Sequence, residues 1–282
     1  MHYALISYLN ARPLWWGLTH RPREDDTYEF TSPARCSDLL AMGKAHLGLI
    51  PSIELMRIPG LVAVPTLCIA SKSEVRSVLL LSRVPFEEIR SVALDPSSRT
   101  SVVLAKILIA ERMGEAGFRR IRFDPVEVAR LADLEGHDAA VIIGDPALQS
   151  SRRESHATLF RYDLVSEWSS LFEEPFVFAV WAGRRDVLPD STAAEVQNRL
   201  RESLRYGLGQ IDAIARSASE ELAIPFGELV EYFREALHYE LGEPEERALQ
   251  RFFRLAAKWG LIERAKDIEW LETRRPREST TS

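Results

Sequence analysis
Four stretches of the chain put small polar side chains where an apolar run gives way to a helical pattern. The first is Ser7-Tyr8-Leu9-Asn10, between the strand-like Tyr3-Ala4-Leu5-Ile6 and Pro13. Proline suits the first turn of a helix, because its missing N–H would be unbonded there anyway. Asn10 carries both a donor and an acceptor, so it can hold a hydroxyl or a carboxylate. It can equally cap the helix or shape the turn. The second stretch is Ile50-Pro51-Ser52, where Ser52 directly follows an apolar run. The third, Asp95-Pro96-Ser97-Ser98-Arg99-Thr100-Ser101, is the richest in hydroxyls. A helix start there brings unpaired N–H groups and the positive end of the helix dipole. Ser97, Ser98, Thr100 and Ser101 add donors, which makes a carboxylate or phosphate site without lysine. An N-cap alone accounts for one hydroxyl of the four. The fourth is Ile143-Gly144-Asp145-Pro146, where Asp145 can meet a ligand or cap a helix. Ser77 joins this set if the apolar run at 78–81 borders a cleft; otherwise it is an ordinary strand serine.

Much chemistry is excluded by what the chain lacks. There is no GxGxxG, and no phosphate loop ending in Gly-Lys-Ser/Thr, so nucleotide binding is not indicated. The six histidines, at 2, 20, 46, 137, 156 and 238, show no metal-ligand spacing. No Ser–His–Asp or Cys–His set can be assembled from neighbouring motifs. An enzyme made of these residues works by orienting its substrate and stabilising charge. Arg76 and Arg99 read as exposed, although either could pair with a carboxylate. A formal charge of −6, with basic residues only in pairs such as Arg119-Arg120, argues against a nucleic-acid surface. Cys36 and Cys68 form no CxxC and suit free, buried thiols in a reducing compartment. No apolar run approaches the roughly 18 residues of a membrane span, and no charged-then-apolar leader stands at the start. The expected location is the cytoplasm, and the oligomeric state stays open.

The elements that must position these side chains are short apolar runs alternating with helical stretches. The runs fall at 3–6, 28–31, 47–50, 61–64, 78–81, 92–94, 121–123, 139–143, 158–160 and 176–181, with amphipathic segments such as 33–42 and 100–112 between them. This alternation predicts βαβ units and a mostly parallel sheet. In such sheets ligands bind outside the strand ends, where the four polar stretches lie. Ten runs exceed one small sheet. The long apolar strands at 77–85 and 175–181 can be crossings out of one lobe and back, or core strands of a continuous sheet. The first option gives lobe one as residues 1–80 plus 183–282 and lobe two as 81–182. Beyond 185 the pattern turns helical. Thr192 and Glu195 fit a capping box for a helix reaching about 218. A second helix covers about 227–241, Gly242 reads as its left-handed stop, and Pro244 opens a third to about 259. This helical third reads as packing, and the polar residues 273–282 as a frayed end.

The quoted stretches also carry a resemblance. Ser7-Tyr8-Leu9-Asn10 with Pro13-Leu14, Gly48-Leu49-Ile50-Pro51-Ser52, Ser77 through Pro85, Ser98-Arg99-Thr100-Ser101, Ile143-Gly144-Asp145-Pro146, Asp163-Leu164 with Glu167-Trp168, and Pro175 through Trp181 occur in order. Together, over residues 3–185, they resemble the chorismate dehydratases of the futalosine route to menaquinone. The resemblance implies an α/β fold similar to type II periplasmic binding proteins, with two lobes, two crossing strands, a cleft and a C-terminal helical segment. It implies loss of water from chorismate to give 3-(1-carboxyvinyloxy)benzoate, with no metal or organic cofactor and with the substrate's own side-chain carboxylate as base. By the same resemblance Asn10 matches a catalytic asparagine and Ser77 a cleft serine. Ser52, Thr100 and Ser101 match positions that hold substrate carboxylates. The sister enzyme making 1,4-dihydroxy-6-naphthoate is the nearest rival, but it resembles this chain less, because no histidine stands at Gly144-Asp145. A non-catalytic carboxylate-binding protein is the rival of another class.

Overall fold
The apolar runs close into two separate sheets. The structure, a computed structural model, describes residues 1–126, 135–150 and 159–272. In chain order the strands are β1 (His2–Ile6), β2 (Thr27–Thr31), β3 (Leu47–Pro51), β4 (Leu61–Ser71), β5 (Val78–Ser82), β6 (Ser91–Leu94), β7 (Arg122–Pro125), β8 (Ala139–Ile143), β9 (Phe160–Asp163), β10 (Phe176–Arg184) and β11 (His238–Leu241). The helices are α1 (Arg12–His20), α2 (Pro33–Ala41), α3 (Glu54–Arg57), α4 (Arg99–Phe118, kinked at Gly114), α5 (Gly144–Ser150), α6 (Leu164–Phe172), α7 (Ala193–Leu208), α8 (Ile211–Leu222), α9 (Phe226–Glu231) and α10 (Glu243–Lys258). One sheet has the order β11-β4-β10-β3-β1-β2 and the other β7-β6-β8-β5-β9. β3, β5 and β8 are buried along their whole length, as apolar runs covered on both faces must be.

The expectation of a mostly parallel sheet is corrected to two mixed sheets. β1 runs parallel to β2 and β3, and β6 parallel to β7 and β8. β5 lies antiparallel to β8 and β9, and β10 antiparallel to β3 and β4. The cause is the route of the chain, which enters the second lobe on β5 and re-enters the first on β10. β4 ends in the first sheet at Ser71 and β5 opens the second at Val78, so the chain leaves through 72–77. It returns through 173–175, before β10. A division at 80/81 therefore falls inside β5, and one at 182/183 inside β10. The long apolar strands flank the crossings, and the crossings themselves are short polar segments.

The C-terminal third departs furthest from expectation. The helix from Thr192 breaks at Gly209-Gln210 into α7 and α8. The Thr192 hydroxyl donates to the Pro189 carbonyl (2.8 Å), and no capping box forms. The second helix ends early in a π-helical turn, Tyr232–Ala236, and β11 replaces its latter half. Buried and exposed residues alternate along Tyr239-Glu240-Leu241, the two-residue period of a strand, and β11 pairs with β4. Gly242 is extended (φ −108°) and does not stop a helix; its N–H donates to Glu245, inside the first turn of α10 (3.0 Å). Residues 273–282 lie outside the described set. α7 packs against α1 so closely that a Cβ on Gly207 would sit 2.1 Å from the Pro13 carbonyl oxygen. This contact and the Ser203 hydroxyl, which accepts from Leu18 N–H (3.0 Å) and donates to Leu14 O (2.7 Å), anchor the helix behind Asn10. Cys36 and Cys68 are free and buried, as expected. Among the described residues no helix is long and apolar enough to cross a membrane.

Candidate active site
The polar stretches meet between the lobes, in a narrow cleft whose enclosed volume is about 50 Å³. β1 and β3 end on one side of it; β8 ends and α4 starts on the other. Of the expected site residues, Asn10, Ser98, Thr100 and Ser101 line the cleft. Ser52, Ser77 and Asp145 stand one residue behind the lining members Pro51, Val78 and Gly144. The lining as described holds no carboxylate, histidine, lysine or cysteine. Its one full charge, Arg99, is spoken for: the guanidinium donates to Glu54 (2.9 Å) and Asp38 (2.7 Å). Arg76 is likewise tied, to Glu231 (2.6 Å), so the two arginines expected to be exposed are only partly so.

Asn10 sits in a one-turn 3-10 helix, Leu9–Ala11, that joins β1 to α1. Trp15 secures the end of β1 beneath it by donating its indole N–H to the Ile6 carbonyl (3.0 Å). The Asn10 Oδ1 is buried and has no hydrogen-bond partner among the described residues. An orphan of this kind costs about 1–3 kcal/mol until a donor reaches it. Neither capping nor turn formation explains the side chain, because the N-cap of the turn is Tyr8 and that of α1 is Ala11, and the Asn10 Oδ1 makes no bond to either.

At the start of α4 the four hydroxyls divide. Ser97 is outside the lining. Thr100 is engaged structurally: its Oγ1 accepts from Ile53 N–H (3.3 Å) and lies 3.4 Å from the Ser52 Oγ, which donates to the Val177 carbonyl (2.8 Å). Thr100 and Ser52 thus tie α4 to the first lobe. Ser98 occupies the N-cap position without a side-chain capping bond. The Ser98 and Ser101 hydroxyls have no partner among the described residues, and α4 there presents unbonded N–H groups at its dipole's positive end. The pair remains available to an anion.

Asp145 does not cap its own helix. Its Oδ1 accepts the N–H of Leu9 (3.0 Å), from the opposite lobe. Burial pushes its carboxyl up, opposed by that N–H and by Arg12 nearby. Gly144 beside it has φ +62°, and a Cβ there would lie 2.9 Å from Cγ of the Tyr8 ring. The lobes therefore meet at Tyr8 on Gly144 and at Leu9 on Asp145. Ser77 is fully buried and accepts the phenol proton of Tyr232 (2.8 Å); burial holds that phenol far above its ordinary range. Tyr239 of β11 donates to the Asn10 carbonyl (2.9 Å). Sequence reasoning missed both tyrosines, because the segment that bears them reads as helix packing. The polar residue at an alternating position in His238-Tyr239-Glu240-Leu241 was the available signal. Among the described residues no three His, Cys, Asp or Glu side chains gather to hold a metal.

Comparison with known proteins adds to this geometry. The sequence model of a family described as menaquinone biosynthesis matches residues 1–258. A chorismate dehydratase of Thermus thermophilus is 30% identical over an alignment 235 residues long that covers 78% of this chain and 83% of that protein. Among solved structures, a protein from Archaeoglobus fulgidus is similar at a TM-score of 0.72, 15% identity, and coverage of 93% of this chain and 98% of its own. The alkanesulfonate-binding protein SsuA of Xanthomonas axonopodis pv. citri, solved with MOPS, gives 0.68 at 13% identity and 95% of each chain. The aliphatic sulphonate binding protein SsuA of Escherichia coli gives 0.64 at 15% identity and 95% of each. The two-lobed fold is that of periplasmic binding proteins.

Proposed function
Because the chain belongs to the menaquinone-biosynthesis family, we propose that it is a dehydratase acting on chorismate, a lyase that releases water and 3-(1-carboxyvinyloxy)benzoate. The observation that carries this reading is a cleft that offers hydroxyls and helix N–H groups to carboxylates and one orphan amide oxygen to a hydroxyl, but no lining base. Elimination makes the ring aromatic, so it is strongly downhill once a ring proton leaves. The substrate's side-chain carboxylate takes that proton, the C–O bond to the ring hydroxyl breaks on the neighbouring carbon, the departing hydroxide recovers the proton from the carboxyl as water, and the protein orients the groups.

In this mechanism Asn10 is the catalytic residue. Its buried Oδ1 accepts from the ring hydroxyl, and its amide N–H₂ polarises the departing oxygen. Ser98 and Ser101, with the first N–H groups of α4, hold a carboxylate. Ser52 and Thr100 keep that helix start against the first lobe. Ser77 and Asp145 back the lining from behind. No step uses a metal or an organic cofactor. The two buried thiols suit the cytoplasm, which is part of the proposal. The test is to mix protein and chorismate and follow ultraviolet absorbance and product mass. Loss of one water at a rate proportional to enzyme supports the reading; unchanged chorismate at high enzyme overturns it.

A further inference from the structure
The buried Asn10 Oδ1 makes no hydrogen bond among the described residues. Its direction is therefore inherited from the backbone that carries it. That backbone is a single 3-10 turn, a form with poor internal hydrogen-bond geometry. Left to itself it would not fix an amide against the cleft wall. Two groups distant in sequence grip it. On one side the Leu9 N–H is taken by Asp145 at the start of α5, in the second lobe (3.0 Å). On the other the Asn10 carbonyl is taken by the Tyr239 hydroxyl from β11 (2.9 Å). Tyr239 is almost fully buried, and burial keeps its phenol protonated, so its O–H is there to donate to that carbonyl.

We infer that Tyr239 and Asp145 are positioning residues, a clamp that aims Asn10 and is complete only when the two lobes stand as they do here. This rests on the reading of Asn10 as the catalytic residue. It also gives the helical third a part in the chemistry, through a strand that reaches the back of the site. Asp145 then meets the substrate through Asn10 and not directly. The clamp ties catalytic geometry to lobe closure, because Asp145 travels with the second lobe and the turn with the first.

The test begins without substrate. The side-chain N–H₂ pair of Asn10 in a ¹⁵N correlation spectrum is identified by its loss in Asn10→Ala. In Tyr239→Phe, which removes one oxygen from a buried ring, that pair shifts and broadens while Tm changes little. Asp145→Ala gives the same signature, and Asp145→Asn, which keeps an acceptor for Leu9 N–H, restores the wild-type pair. With chorismate, Tyr239→Phe lowers kcat roughly ten- to a hundred-fold, the range expected for losing one buried hydrogen bond, with KM within about threefold. In an Asn10→Ala background the same substitution lowers kcat no further. An unmoved Asn10 amide pair, or a full additional loss of kcat in the Asn10→Ala background, overturns the clamp. Wild-type protein that leaves chorismate unchanged overturns the proposed reaction instead, and the amide pair then decides the clamp by itself.

Discussion

Gly144→Ala tests how the lobes meet. Gly144 has φ +62°, a conformation that costs an L-residue about 1–2 kcal/mol. The added methyl would stand 2.9, 3.0 and 3.1 Å from Cγ, Cδ2 and Cδ1 of Tyr8, where ordinary contact is 3.4–4 Å. The ring must retreat by roughly half an ångström, and overpacking of this kind costs about 1–3 kcal/mol. The sum, about 2–5 kcal/mol, does not exceed the lower end of the 5–15 kcal/mol of a typical domain, so the variant folds. Tyr8 lines the cleft two residues before Asn10, and its displacement lowers kcat/KM for chorismate at least tenfold, about 1.4 kcal/mol. Urea unfolding followed by tryptophan fluorescence gives the stability loss as a lower midpoint at unchanged slope. Adding Tyr8→Ala removes the collision and leaves only the backbone part, about 1–2 kcal/mol. A Gly144→Ala variant as stable and active as wild type refutes the reasoning. So does an equal loss with and without the Tyr8 ring, which would mean the ring is not what the methyl meets.

Asp163 binds the first crossing to α6, with Oδ2 accepting from Val75 and Arg76 N–H (3.1 and 2.7 Å) and Oδ1 from Val165 and Ser166 N–H (2.9 and 3.2 Å). Asp163→Asn sets an amide N–H₂ against one of these pairs, and urea unfolding then shows a loss of about 2–4 kcal/mol; a change below about 0.5 kcal/mol contradicts the bonding scheme. Asp145 predicts a pH effect of definite sign. Burial raises its folded carboxyl above the ordinary 3.8, with Leu9 N–H and Arg12 opposing and Glu221 assisting. The group therefore favours the fold below the ordinary value, and that contribution is lost as pH rises through the folded one. Asp145→Asn removes the burial cost of the charge, so its Tm advantage over wild type is positive at neutral pH and shrinks as pH falls through the raised folded value. An advantage that instead grew on acidification would mean a depressed carboxyl.

The strands were legible because burial on both faces writes itself as continuous apolar runs, as in Val78-Leu79-Leu80-Leu81 and Ala139 through Ile143. Strand direction was not. The antiparallel settings of β5 and β10 follow from where the chain crosses between lobes, which no local pattern encodes. Helix starts with hydroxyls were legible as candidate anion sites, but not the division of labour among them. That Thr100 and Ser52 spend their bonds on each other and on the first lobe, while Ser98 and Ser101 spend none, depends on partners roughly fifty residues or more away. The same distance hid Tyr232 and Tyr239, whose partners Ser77 and Asn10 lie 155 and 229 residues earlier. β11 was lost to helix periodicity because its short alternation abuts a helical run, and only pairing with β4 decides it.

In the proposed reaction this cleft removes water from chorismate by orientation, with Asn10 as the catalytic residue. The direct measurement is product mass and initial rate with chorismate for wild type and Asn10→Ala, each checked for folding by its melting curve. Wild type is expected to give an enol-ether benzoate one water lighter than chorismate, and a folded Asn10→Ala a rate at least a hundredfold lower, about 2.7 kcal/mol of transition-state stabilisation. Full turnover by Asn10→Ala, or intact chorismate after prolonged reaction with wild type, would contradict it.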